Sequence, residues 1–351
     1  MLLLSGCAPS TRVSDNQTAD QRSAHRTSGP DSADSTSRLD WRTSTIPTAN
    51  SDVLSPSLSS DPRECLAIGE KAMTISDFKT AYKAASRATE LNPQMAEAYL
   101  LRGKSRYLTS TGNLQESISD LEKALRLNPR LTDGYEQLGM IYDANKQYRQ
   151  AIEIFSEGLK HYPTSSSLLE GRASVYCTIK ENEKALSDFS SLIKCMPKRG
   201  TNYLKRAAQL ERMGRYKEAL SDYSSVISLS KSPDLVTCDS YKKRARLLSK
   251  LGRHKEAIAD LSKVIDVDDS DDDAIRQRGD EYKLQNQLEK AIADYTSAIN
   301  LSPQYARSSY EARSAAYEVL GKSDLAEKDR QSALKLEQTK AEKPVFDANH
   351  N

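Results

Sequence analysis

The chain has 351 residues, of which 37% are hydrophobic and 28% charged, with a formal net charge of +2. That is little apolar side chain for one thick core of this length, and enough for a thin structure in which each layer is buried only by its neighbours. Lys and Arg are spread along the chain, which argues against a nucleic-acid binder. No apolar run reaches the roughly 20 residues that span a membrane.

The N-terminus reads Met1-Leu-Leu-Leu-Ser-Gly-Cys7, with small residues before the cysteine and leucines before those. Leu4-Ser5-Gly6-Cys7 resembles the lipobox of bacterial lipoproteins, in which a peptidase cuts before the cysteine and its thiol carries a diacylglyceryl group. The resemblance implies a lipid anchor at Cys7 and a place in the bacterial cell envelope. Ala8 resembles outer-membrane sorting in a cell with two membranes. Residues 1–7 lack a basic n-region, and their apolar run is three leucines, so they read as a truncated or atypical signal. Residues 8–61 hold twenty Ser or Thr, no Lys and no Glu. Such a segment cannot bury enough surface to offset its conformational entropy, so a disordered tether is expected. Its reach as a random coil is on the order of 40 Å. Trp41, the only tryptophan, reads as a stray aromatic there, with a short docking motif as the alternative.

From residue 62 a period of about 34 residues takes over. Pro93, Pro129, Pro163, Pro197 and Pro303 punctuate it. A Gly or Ala recurs in one helix and an Ala in the next, as in Gly69/Ala81, Gly139/Ala151, Ala207/Ala219 and Gly279/Ala291. Eight copies are read: 62–95, 96–131, 132–165, 166–199, 200–237, 238–271, 272–305 and 307–340, followed by a disordered tail, 341–351. The second carries extra residues at its turn and the fifth in its exit loop. Small residues at positions eight and twenty let two helices approach closely. Larger ones at positions four, eleven and twenty-four fill the space between hairpins. Gly214, Gly252 and Gly321, with Asn145 and Asn286, suit left-handed caps after the first helix. The prolines follow the second helix, which they cannot continue.

The third copy reads Tyr135-x2-Leu138-Gly139-x2-Tyr142, then Ala151-x3-Phe155-x2-Gly158, closing at Pro163. This resembles the tetratricopeptide repeat, a helix-turn-helix unit. The resemblance covers about four fifths of the chain. It implies an all-α fold, a right-handed superhelical solenoid of eight repeats, with non-catalytic protein binding as its function. The expectation is therefore no enzyme, no cofactor, no metal and no small-molecule substrate.

Comparing the copies reveals a covariation. Position seven is Arg in six of them, Arg102, Arg172, Arg206, Arg244, Arg278 and Arg313. Position twenty-three is Asp in the same six, Asp120, Asp188, Asp222, Asp260, Asp294 and Asp329. Copy one has Ile68 and Ala84 and copy three Leu138 and Ile154, so neither charge occurs without the other. An ion pair joining the two helices of each hairpin is the simplest reading. Pairing between neighbours fits less well, because Arg102 would face Ala84.

Cys65, Cys177, Cys195 and Cys238 form no Cys-x-x-Cys pair, and the four histidines are scattered, so no disulfide, zinc site or catalytic triad is expected. Asp269-x-Asp271-x-Asp273 has calcium-loop spacing, but Ala274 stands where such a loop needs Gly. Helix capping is the preferred reading of this acidic run.

In the repeat family the first helices line a concave groove. The resemblance assigns to it Asp133, Glu136, Met140 and Asp143 of copy three, and Glu170, Ser174 and Cys177 of copy four. Copies six and seven add Lys242, Arg246, Lys250, Arg276 and Lys283. The groove is expected to run from acidic to basic and to orient a peptide or protein ligand by charge. The carboxylate clamp that grips chaperone C-termini is not expected, because Leu66 and Glu70 stand where it needs Lys and Asn. The asparagine ladder that holds a peptide backbone is missing at position six. The function expected is a membrane-anchored adaptor organising an envelope or secretion-related complex. The alternatives are a soluble cytoplasmic adaptor and the targeting subunit of an enzyme complex.

Overall fold

A computed structural model describes residues 59–109, 113–230 and 234–342. Residues 1–58, with Cys7 and most of the expected tether, and residues 343–351 lie outside them; Asp61, at the end of the expected tether, caps the first helix, and the last helix runs to Glu342, two residues into the expected tail. The described residues form sixteen α-helices and no strand. They pair as α1 (Pro62–Thr74) with α2 (Phe78–Leu91), α3 (Ala96–Leu108) with α4 (Leu114–Leu127), and α5 (Thr132–Ala144) with α6 (Tyr148–His161). Then come α7 (Ser166–Thr178) with α8 (Asn182–Cys195) and α9 (Gly200–Arg212) with α10 (Tyr216–Leu229). The last three pairs are α11 (Leu235–Lys250) with α12 (His254–Val267), α13 (Asp272–Leu284) with α14 (Leu288–Leu301), and α15 (Arg307–Val319) with α16 (Ser323–Glu342). Each hairpin packs on the next, and first helices also touch the first helix of the following hairpin at several joints. The result is an all-α solenoid. No helix among the described residues is long and apolar enough to cross a membrane.

The turns inside hairpins share one construction. After α5 the amide of Gln147 donates to the Tyr142 carbonyl at 2.8 Å, and the same bond recurs from Glu181 to Tyr176, Arg215 to Leu210 and Arg253 to Leu248. This closure needs one residue in the left-handed region just before the donor. Glycine fills that place at Gly214, Gly252 and Gly321, and Asn286 does so with φ +57°. The expectation for Asn145 is corrected: its φ is −86°, and Lys146 next to it takes the left-handed conformation at +61°. Ser76 and Lys180 do the same without being glycine or asparagine. The place is set by the closing bond, so whichever residue stands there adopts it.

The core is a chain of small clusters. Ala81, Ala151, Ala185, Ala219, Ala257 and Ala291 are fully buried at helix crossings. Phe155, Tyr223 and Tyr295 are the bulkiest buried fillers. Phe155 lies between hairpins three and four. A Cβ on Gly139 would come within 2.6 Å of its ring, and one on Gly171 within 2.5 Å. The acidic run acts at a helix start: the Asp271 carboxylate accepts from the Ala274 amide at 2.9 Å and caps α13.

Candidate peptide-binding groove and the arginine ladder

The groove residues assigned from the sequence come from α5, α7, α11 and α13. Asp133, Met140, Ser174, Arg246 and Lys250 are exposed, while Glu136, Asp143, Glu170, Cys177, Lys242, Arg276 and Lys283 are half-buried. Side chains from successive hairpins meet here. Lys205 of α9 pairs with Glu170 of α7. Arg246 of α11 reaches back to Glu211 of α9 at 2.7 Å, and Lys242 reaches Asp271 at 2.9 Å. Arg276 is held by Asp273 at 2.7 Å and by Asp280 at 2.9 Å. Lys250 lies over the ring of Tyr216. Burial pushes the Lys242 ammonium toward deprotonation, but the Asp271 carboxylate outweighs it and keeps the lysine charged. Glu170, Lys242 and Arg246 thus meet opposite charges of a neighbouring hairpin, and Arg276 meets them on its own helix. The basic part of the groove is therefore weaker in net charge than the residue types alone suggest.

Tyrosine hydroxyls fix several of the acids. Tyr295 donates to Asp280 at 2.8 Å, Tyr142 to Glu122 at 3.2 Å and Tyr223 to Glu211 at 3.3 Å. Burial raises the Tyr223 and Tyr295 hydroxyls well above the usual phenol range, so both stay donors. Glu211 and Asp280, on the first helices α9 and α13, are thereby held in place.

Behind the groove the six arginines form a ladder. Each sends Nε to one oxygen of its aspartate at 2.7–2.9 Å and Nη2 to the other at 2.5–2.8 Å. The pairs are Arg102–Asp120, Arg172–Asp188, Arg206–Asp222, Arg244–Asp260, Arg278–Asp294 and Arg313–Asp329, all within one hairpin. This is the bidentate fork that a guanidinium makes with a carboxylate. The aspartate hydrogen bonds raise each arginine's proton affinity, and burial only partly opposes them.

The third nitrogen does something the pairing alone does not reveal. Nη1 donates at 2.7–3.3 Å to a hydroxyl on the second helix of the preceding hairpin: Thr89, Ser156, Ser190, Ser224, Ser262 and Thr296, respectively. Each arginine therefore closes its own hairpin and ties it to the one before. The sequence carries a signal for this. Where the next copy has an arginine, the aspartate is followed two residues on by Ser or Thr, as in Asp188-x-Ser190, Asp222-x-Ser224, Asp260-x-Ser262 and Asp294-x-Thr296. Asp120 is followed by Glu122, and the next copy has Leu138 instead of Arg. At that joint Leu125, Leu138, Ile141 and Ile154 pack as an apolar cluster.

Regular hairpins of 34-residue period, with small residues at the crossings and side chains displayed along the first helices, define a repeat solenoid built to present an extended surface. Models of the tetratricopeptide repeat match residues 66–131, 132–164, 239–271 and 277–305, so repeats of that kind are recognised in these segments. Hsp70-Hsp90 organizing protein 3 of Arabidopsis thaliana is 37% identical over 94 residues, 27% of this chain and 16% of that protein. Small glutamine-rich tetratricopeptide repeat-containing protein 2 of Mycosarcoma maydis is 28% identical over 107 residues, 30% of each chain. The chain thus spans well under half the length of these relatives. Among solved structures, a complex of Naa15/Naa10 bound to HypK-THB shares the fold with TM-score 0.52 and 16% identity, over 82% of this chain and 43% of that one. A tetratricopeptide repeat protein from Parabacteroides merdae ATCC 43184 matches 78% of this chain and 98% of that one at TM-score 0.46 and 18% identity.

Proposed function

We propose that this chain is a non-catalytic adaptor that binds an extended or helical segment of a partner protein along its concave face. The observation that carries the reading is the row of exposed first-helix residues, among them Met140 and Ser174, on the same set of helices as Glu211 and Asp280, carboxylates already fixed by neighbouring tyrosines and bases; fixed groups lower the entropic cost of binding. Relatives named as organizing proteins of Hsp70 and Hsp90 support an adaptor role. A carboxylate clamp for chaperone C-termini is not part of the proposal, since Leu66 and Glu70 stand where it needs Lys and Asn. Because the groove's bases Lys242, Arg246 and Arg276 already hold carboxylates, the ligand is selected by shape and scattered polar contacts more than by acidic charge.

The test is selection of binders from a random peptide library on the full chain, followed by affinity measurement with Ser174→Arg and Met140→Arg. Both side chains are exposed, so helicity should be unchanged while affinity falls about tenfold or more. Peptides that bind both variants as tightly as the wild type would place the ligand elsewhere.

The adaptor is further proposed to be held at a bacterial envelope membrane by a lipid on Cys7, ahead of a Ser/Thr-rich tether. The support is the lipobox-like Leu4-Ser5-Gly6-Cys7. Metabolic labelling with an alkyne fatty acid in the native host should mark the wild type and not Cys7→Ser. Absence of label from both, with the chain in the soluble fraction, would leave a cytoplasmic adaptor.

A further inference from the structure

A stack of helical hairpins has two unlike edges, one carrying the turns inside hairpins and the other the loops between them. Along the loop edge of hairpins one to four, Leu91, Met95, Leu127, Leu131, Tyr162 and Met196 are half-buried. Tyr135 and Tyr203 brace two of those loops by donating to the carbonyls of Pro129 and Pro197. Hairpins five to seven differ. There Leu229, Leu235, Val236, Val267, Leu301 and Tyr305 are exposed, six of the fourteen large hydrophobic residues exposed among those described. They come from the end of α10, the start of α11, and the ends of α12 and α14 with the short 3-10 turn Pro303–Tyr305 that follows. Single exposed apolar residues need no explanation, but a group on one edge does.

α11 sharpens the case. It has 16 residues where every other first helix has 13, and the added turn carries Leu235, 90% exposed, and Val236. The turn is held in place, because Asp234 caps it through the Thr237 amide at 2.8 Å. Among the described residues nothing covers the leucine that this fixed extra turn presents.

The same edge holds Asp234 and the six aspartates between 266 and 273. Among the described residues only Lys242, Lys263 and Arg276 form ion pairs with them. The described residues of this edge are therefore acidic as well as apolar. An anionic membrane surface would be repelled by it. A basic helix with one apolar face is attracted, and its residues i and i+7 lie roughly 10 Å apart, the spacing of adjacent packed helices. We propose that the loop edge of hairpins five to seven is a docking surface, separate from the groove, for a basic amphipathic helix of a partner protein.

The probe is a fluorescein-labelled peptide of about 18 residues, made of Leu, Ala and Lys with the leucines on one helical face. Its control has the same composition with the leucines dispersed around the helix. Anisotropy is read on the full chain at roughly 0.15 M salt. The amphipathic peptide should bind and the control should not. Leu235→Ser with Tyr305→Ser should weaken binding about tenfold, Asp269→Asn about twofold, and Ser174→Arg in the groove not at all. Equal binding of both peptides would overturn the proposal, since charge alone would then explain it. So would loss of binding in Ser174→Arg with none in the edge variant. Sedimentation of the wild type as a dimer that Leu235→Ser dissolves would also overturn it, making the edge a contact between copies.

Discussion

Replacing Arg244 by leucine will destabilise the solenoid by about 3–5 kcal/mol, because it strands a buried carboxylate. Asp260 is 5% exposed and takes both its close hydrogen bonds, at 2.7 and 2.6 Å, from this one guanidinium. Ser224 is less affected, since its hydroxyl also donates to the Leu220 carbonyl at 2.8 Å. Adding Asp260→Ile should recover most of the loss. The third hairpin already has this arrangement, with Leu138 and Ile154 in the two places. Urea denaturation followed by circular dichroism of the wild type, single and double variants decides the matter. Equal damage in the single and double variants would mean that the stranded charge is not the cause. Arg244→Lys should fall between the wild type and Arg244→Leu, because an ammonium still faces Asp260 with a positive charge but cannot fork onto it while also reaching Ser224.

The second large effect is expected at Phe155. Its ring is 1% exposed and closes the gap left by Gly139 of its own hairpin and Gly171 of the next. Phe155→Ala should cost about 3–5 kcal/mol, from lost burial and an unfilled cavity at the joint. The two glycines test the same contact from the other side. Gly171→Ala gains about 1 kcal/mol of helix propensity but drives a methyl into the ring. It should be destabilising in the wild type and neutral or stabilising beside Phe155→Leu. Because hairpins contact only their neighbours, the damage should stay local. Hydrogen exchange should rise in α5 to α8 first; a uniform rise along the chain would contradict this picture.

The two sides of the arginine ladder, its aspartates and its hydroxyls, differ in how far the sequence reveals them. Arg and Asp at positions seven and twenty-three vary together inside one chain, so their pairing is legible without coordinates. The hydroxyls of Ser190, Ser224, Ser262 and Thr296 leave an equally regular trace, but serine is common on helix surfaces and draws no notice by itself. Asn145 misleads for a different reason. Residue type favours a left-handed cap there, whereas the closing bond to Tyr142 places it at Lys146. The groove charges mislead because Lys205, Lys242 and Arg246 have long flexible stems. Which acid each one reaches depends on the offset between hairpins, and no pattern within a repeat encodes that offset.

What the sequence by itself determined is the repeat: its period, its helices, the small residues at crossings and the arginine-aspartate exchange within a hairpin. These are local or recur every copy, so one chain provides its own comparison. The tertiary structure alone decided which charges in the groove cancel, which hydroxyl each arginine borrows from the hairpin before, and that Leu235 and Tyr305 share an exposed edge with the aspartates near 270. Those contacts join residues of successive hairpins, and their geometry is set by how one hairpin stacks on the next.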